Sequence, residues 1–253
     1  MSFSKDFSRG MRGFREAHKI IFKHKLAKFL VIPGIATLLY TTLFFIGAIH
    51  FAKRIDADAA AYPSWLSWMG DFTYWFLETV YWVAAIFLFM ASLKYVLQVI
   101  LSPFLSQISE SVEKMAWGNE PDPFTFKAFF HDFVRSLKLA IRNSVIELFL
   151  CLVLGFIPGV GQVAGFMVSS YFCGFGYIDY VLERKKMSVA ESVAFVRAHR
   201  GFAMGIGLVN NLLMLIPVLG WVIAPTYATV AVTIETLRLL DPNDESRLDA
   251  FSK

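Results

Sequence analysis

The chain alternates between long apolar blocks and short basic segments, and the spacing within each predicts a different kind of helix. Residues 3 to 26 place Phe3, Phe7, Met11, Phe14, Ile21, Phe22 and Leu26 mostly at steps of three and four, with Lys and Arg between them. That pattern predicts a basic amphipathic helix lying at a membrane interface, within 1–28. Phe29 to Phe51 holds 23 residues without Asp, Glu, Lys or Arg. At about 1.5 Å per residue such a helix reaches about 34 Å, enough for a hydrocarbon core of about 30 Å. A first span over 29–51 follows, with Pro33 near its start, where a missing N–H costs little.

A second block, 72–101, is broken only by Glu78 and Lys94 and reads as a second span. Trp65, Trp68, Tyr74, Trp75, Tyr81 and Trp82 crowd its start, as an aromatic belt at the outer interface would. Ser102-Pro103 then predicts a fresh helix start, an N-cap with Pro in the first turn. An amphipathic helix is expected over about 125–142, and another opening at Ser188, where Glu191 stands at capping-box spacing.

Two further blocks resemble each other. Leu148 to Ile178 is 31 residues without a charge and Gly201 to Ile234 is 34. Each breaks near its middle, at Ile157-Pro158-Gly159-Val160-Gly161-Gln162-Val163 and at Ile216-Pro217-Val218-Leu219-Gly220-Trp221-Val222, an offset of 59 residues. The arms on either side are short for a crossing, and Pro with Gly disfavours one continuous helix. Re-entrant hairpins over 144–182 and 201–236 are expected, with Pro158, Gly159, Gly161, Pro217 and Gly220 at their tips and a cytoplasmic tail over 237–253. Tip backbone has to be buried against protein or line a wet cavity. The second arm of each hairpin starts at the tip, so its positive dipole end suits an anion; tips that merely pack against the spans fit the same residues.

Composition sharpens this picture. Hydrophobic residues make up 57% and charged residues 17%, with mean hydropathy +0.55, against about 45–50% and about 25% in soluble domains. The first 29 residues carry eight basic and two acidic side chains, and 183–200 is basic too, which puts both on the cytoplasmic side with the two termini. A net charge of +4 is too mild for nucleic acid. Cys151 and Cys173 offer neither a disulfide framework nor a metal-ligand spacing. No His-Glu-x-x-His, Gly-x-Ser-x-Gly, Walker loop or dinucleotide fingerprint occurs, so no enzyme, metal or cofactor is expected.

Ser102-Pro103-Phe104 leading to Glu110 and Val112-Glu113, Phe156-Ile157-Pro158-Gly159-Val160-Gly161-Gln162, Tyr177-Ile178-Asp179-Tyr180, and Ile216-Pro217-Val218-Leu219-Gly220 through Ala224-Pro225 to Ala228-Thr229 follow one another in order. In these the chain resembles the CysZ-type sulfate permeases, which share a domain with the eukaryotic etoposide-induced membrane proteins. The resemblance implies an all-α integral membrane protein of one domain over 1–253. It would have two long transmembrane helices, two half-penetrating helical hairpins, a homo-oligomeric assembly, and passive movement of sulfate across a bacterial plasma membrane. Where that family carries a Gly-Leu-Arg sulfate-contacting motif, this chain has Lys25-Leu26-Ala27-Lys28. Lys25 and Lys28 keep the attraction for an anion but lack the planar fork of Arg. Glu110, Glu113, Arg135 and Arg142 would form a charged vestibule where the family's funnel lies. On the residues alone two functions stay open: an anion channel or permease, and a non-conducting membrane organiser that binds lipid or partner proteins.

Overall fold

The apolar periodicities produce helices throughout the described part of a computed structural model, residues 3–24, 26–59, 70–118 and 126–241. These are α1 (Phe3–Lys23), a 3₁₀ turn (Leu26–Leu30), α2 (Val31–Ala59), α3 (Gly70–Trp117), α4 (Phe126–Gly155), α5 (Val160–Arg184), α6 (Val189–Ala198), α7 (Arg200–Met214) and α8 (Leu219–Leu240). Trp65 and Trp68 of the expected aromatic belt lie outside the described residues.

α2 and α3 run antiparallel. Tyr40 stacks on Phe89 at 5.7 Å and shares a 2.6 Å hydrogen bond with Ser92, while Tyr81 donates to the Ala48 carbonyl at 2.6 Å. Their outer faces are apolar and bare: Leu38 is 69% exposed and Phe87 75%. Only 11% of the apolar stretch within Lys28–Arg54 is buried, the reverse of a soluble core helix. Lipid is the solvent that suits such a surface.

Two expected boundaries are corrected. Ser102-Pro103 does not start a helix; α3 runs through both. Leu97, Leu101, Phe104, Leu105, Ile108 and Val112 form one buried stripe across the proline. Burying each such side chain is worth about 1.5–3 kcal/mol, so together they outweigh the ~3 kcal/mol that an interior proline costs. The helix expected over 125–142 likewise merges with the first hairpin arm into α4, because Leu139, Asn143 and Glu147 continue one buried face and no breaker intervenes. That arm has 30 residues, so shortness does not describe it. α7 has 15, or about 22 Å of helix.

α1 is amphipathic as expected, but protein covers its inner face. Gly10 lies against the backbone of Phe202 and Ile206 in α7, and Gly13 against Ala231 and Glu235 in α8. α7 is in turn wedged between α1 and α5: Gly201 and Gly205 meet the carbonyls of Phe3 and Phe7, and Gly207 meets that of Ser170. Small residues at these crossings let backbones approach closely.

The two hairpin turns are built alike. In each, the isoleucine N–H bonds back three residues, Ile157 to Leu154 at 2.9 Å and Ile216 to Leu213 at 2.9 Å. The residue two beyond the proline then bonds to the proline carbonyl, Val160 to Pro158 at 2.9 Å and Leu219 to Pro217 at 2.6 Å. The residue between has φ 76°, ψ −69° at Gly159 and φ 62°, ψ −61° at Val218, the rare positive-φ γ-turn. Gly161 and Gly220 close the turns, where a Cβ would strike the carbonyls of Leu154 and Leu213. Around this bonded backbone the side chains face outward, Phe156 80% and Val160 71% exposed in one turn, Leu215 60% and Val218 65% in the other.

Both turns lie at the same end of the protein. Gly174 faces Ala203, and Asn211 reaches back to Ser170 at 3.3 Å, so α5 and α7 are antiparallel. The second hairpin is pegged to the first third of α2. Pro225 lacks the N–H that would bond the Trp221 carbonyl, and Thr37 of α2 donates to that oxygen instead, at 3.5 Å. The Trp221 ring packs on Phe89 at 5.4 Å and its Nε1 donates to the Met214 carbonyl at 2.9 Å.

Positive φ at a β-branched residue costs about 1–3 kcal/mol. Val218→Gly is therefore expected to raise the unfolding temperature of the detergent-solubilised protein and Gly159→Val to lower it, both read by tryptophan fluorescence; the opposite order contradicts the turn geometry. Gly207→Ala, driven onto the Ser170 backbone, is expected to destabilise by about 1–3 kcal/mol or more. Gly47→Ala, with open space around it, should be near neutral in the same assay.

Candidate functional site

The charged groups gather at the other end of α5, a 25-residue helix and so about 37 Å from the first turn. α5 stops sharply there because Lys186 adopts φ 58°, letting Lys186 N–H bond the Glu183 carbonyl at 2.8 Å and Met187 N–H the Leu182 carbonyl at 3.1 Å. The expected capping box then opens α6: Glu191 N–H bonds Ser188 Oγ at 3.3 Å, and Ser188 N–H bonds Glu191 Oε2 at 2.7 Å. Hydrogen bonds from Ser188 hold the Glu191 carboxyl below its ordinary pKa.

This abrupt end aims four charged side chains at neighbouring helices. Arg135 of α4 grips Asp179 with both Nη atoms at 3.0 Å, and donates to the Met187 carbonyl at 3.1 Å and Ser192 Oγ at 2.8 Å. Glu183 lies 3.7 Å from the same guanidinium and accepts from Ser136 at 2.6 Å. Arg184 turns to α3, donating to Ser109 Oγ at 2.5 Å and to Glu113 Oε2. Lys185 donates to the other Glu113 oxygen at 2.5 Å. Behind them Thr233 of α8 lies 2.8 Å from Ser109 Oγ.

Of the residues singled out in the sequence, Glu113 and Arg135 come to this end of the fold, each held in ion pairs. Glu110 is half-buried and Arg142 exposed; among the described residues neither joins those pairs. Lys28 is exposed, its Nζ 5.3 Å from the Phe29 ring centroid. Lys25 lies outside the described residues. Pro158, Gly159, Gly161, Pro217 and Gly220 form the turns at the far end and touch none of these charges. The sequence left Ser109, Arg184 and Lys185 unmarked as partners. For Arg184 and Lys185 the signal was their place in the charged stretch that opens with Asp179 at the end of a charge-free block. Among the described residues no three His, Cys, Asp or Glu side chains gather to hold a metal ion.

Comparison with known proteins follows the same length of chain. Residues 13–225 match the family described as Sulfate transporter CysZ/Etoposide-induced protein 2.4. The chain is similar to the sulfate transporter CysZ of Pseudomonas aeruginosa strain LESB58, 28% identical over 222 residues, covering 83% of this chain and 87% of that protein. It is 25% identical over 244 residues to the protein of the same name from Pseudomonas syringae pv. tomato, covering 90% and 92%. The corresponding protein of Vibrio parahaemolyticus is 25% identical over 213 residues, covering 79% and 83%. With a family match over that range, most of its length, this chain is a member of the Sulfate transporter CysZ/Etoposide-induced protein 2.4 family.

Proposed function

We propose that this chain is a permease of the bacterial inner membrane that lets a small inorganic oxyanion, sulfate above all, cross passively. The observation that carries the reading is the match, along most of both chains, to proteins named as sulfate transporters. α2 and α3 cross the bilayer, and the two hairpins enter from the cytoplasmic side and stop part-way. The Thr37 and Phe89 contacts of Trp221 support that depth, since Thr37 lies well inside the apolar stretch of α2. The N-terminus and the ion-paired end of α5 are cytoplasmic, in keeping with their basic sequence, and the C-terminus lies on the same side. Several copies of the chain assemble to complete the route. Lys25 and Lys28 draw the anion toward it, Lys28 from an exposed position.

A second reading, a non-conducting organiser that wedges into lipid, draws on the outward-facing Phe156, Val160, Leu215 and Val218. Labelled sulfate uptake into liposomes holding the purified protein separates the two. Uptake above that of empty vesicles, several-fold slower when Lys25 and Lys28 are both changed to Gln, is expected of the permease, because exposed charges act mainly on the rate of encounter. No flux of any small oxyanion leaves the organiser.

A further inference from the structure

Two cationic side chains converge on a single carboxylate where α5 meets α3, and one of them also reaches a buried hydroxyl. Arg184 donates to Glu113 and to Ser109, and Lys185 donates to the second Glu113 oxygen. Arg184 and Glu113 side chains are only 16% and 10% exposed, while Lys185 at 37% marks the side open to water. Without the carboxylate, two positive charges would face one position, with the Ser109 hydroxyl bound to the same guanidinium beside it, a donor set that suits an oxyanion. Hydroxyls continue from it along one face of α8, on both sides of Thr233. Thr233 lies 2.8 Å from Ser109, Thr229 donates to the Pro225 carbonyl at 2.8 Å, and the fully buried Thr226 and Thr236 hydroxyls have no hydrogen-bond partner.

We propose that Arg184, Lys185 and Ser109 form an oxyanion site at the mouth of the protein, and that the Glu113 carboxylate fills it as an internal competitor of the anion. An arriving sulfate takes the two cations and Ser109 as Glu113 swings out to water through the Lys185 side. The carboxylate thereby keeps the site closed and offsets part of its positive charge when no anion is present. This rests on the oxyanion-permease reading for its biological sense, but the binding itself is measurable without transport.

The test is sulfate-dependent thermal stabilisation of the full-length protein in detergent, with sodium chloride at matched ionic strength as the reference. Glu113→Gln keeps the size of the side chain and removes its charge. It is expected to lower the sulfate concentration at half-maximal stabilisation by about tenfold, a difference of about 1.4 kcal/mol, and adding Arg184→Gln should abolish the gain. An unchanged or higher midpoint in Glu113→Gln overturns the proposal. Should that variant not fold, Lys185→Gln, altered at the water-exposed edge, is expected to raise the wild-type midpoint several-fold, and an unchanged midpoint overturns the proposal equally. The midpoint shift without sulfate flux in liposomes would leave the site standing and sink the permease reading; flux without the shift would do the reverse.

Discussion

Hydrocarbon offers a peptide group nothing to bond to, so a chain that turns back inside a bilayer has to satisfy its own backbone. The two Ile-Pro-x-x-Gly turns, which the proposed permease architecture puts at that depth, would meet the demand locally. Each proline carbonyl accepts from the residue two beyond it, and each glycine N–H returns to the isoleucine carbonyl, Gly161 to Ile157 and Gly220 to Ile216, both at 2.9 Å. With the backbone closed in this way, the side chains around it are free to be large, apolar and outward-facing. Proline makes its own debtor deeper in α8, the Trp221 carbonyl, and Thr37 settles it from the neighbouring helix. One backbone requirement thus shapes the turns and also fixes the level at which the second hairpin meets α2.

The remaining architecture keeps charge and apolar surface apart along α5. At one end lie the turns; at the other, Arg135, Asp179, Glu183, Arg184, Lys185 and Glu113 form pairs across three helices. Arg135 and Asp179 are nearly buried, their side chains 11% and 4% exposed, so removal of Arg135 would strand the Asp179 carboxylate at a cost of about 3–5 kcal/mol. A similar group ties α8 to α1, where Arg238 lies 2.9 Å from Glu235 and 2.8 Å from Glu16. Between these ends, glycine contacts hold α1, α5 and α7 close together. The ordering of charged end, tight middle and apolar turns suits a body inserted from one side of a membrane.

Local signals in the sequence proved the most readable. Pro158 with Gly161 and Pro217 with Gly220 act within five residues, and both turns form where the repeat puts them. The capping box at Ser188 and Glu191 is equally local and forms too. Ser102-Pro103 misled because the same local rule was overridden by a buried stripe extending from Leu97 to Val112. The ion pairs were half legible: Glu113 and Arg135 stood out as charges, but their partners lie 71 and 44 residues away, beyond the reach of any spacing rule. The cover that α7 and α8 give to α1 was hidden for the same reason, although Gly201, Gly205 and Gly207 are the small residues that such a crossing needs.

The central claim is the depth of the turns, and spin labels read depth directly. Single cysteines at Phe156 and Leu215, in a background with Cys151 and Cys173 replaced by Ala, would carry nitroxides at outward-facing tip positions. In reconstituted vesicles the account predicts collision with oxygen at both sites and almost none with a water-soluble nickel chelate supplied on either side. Ready collision with the chelate from the external side at either position would mean that the hairpin emerges there, and the half-crossing architecture would be wrong.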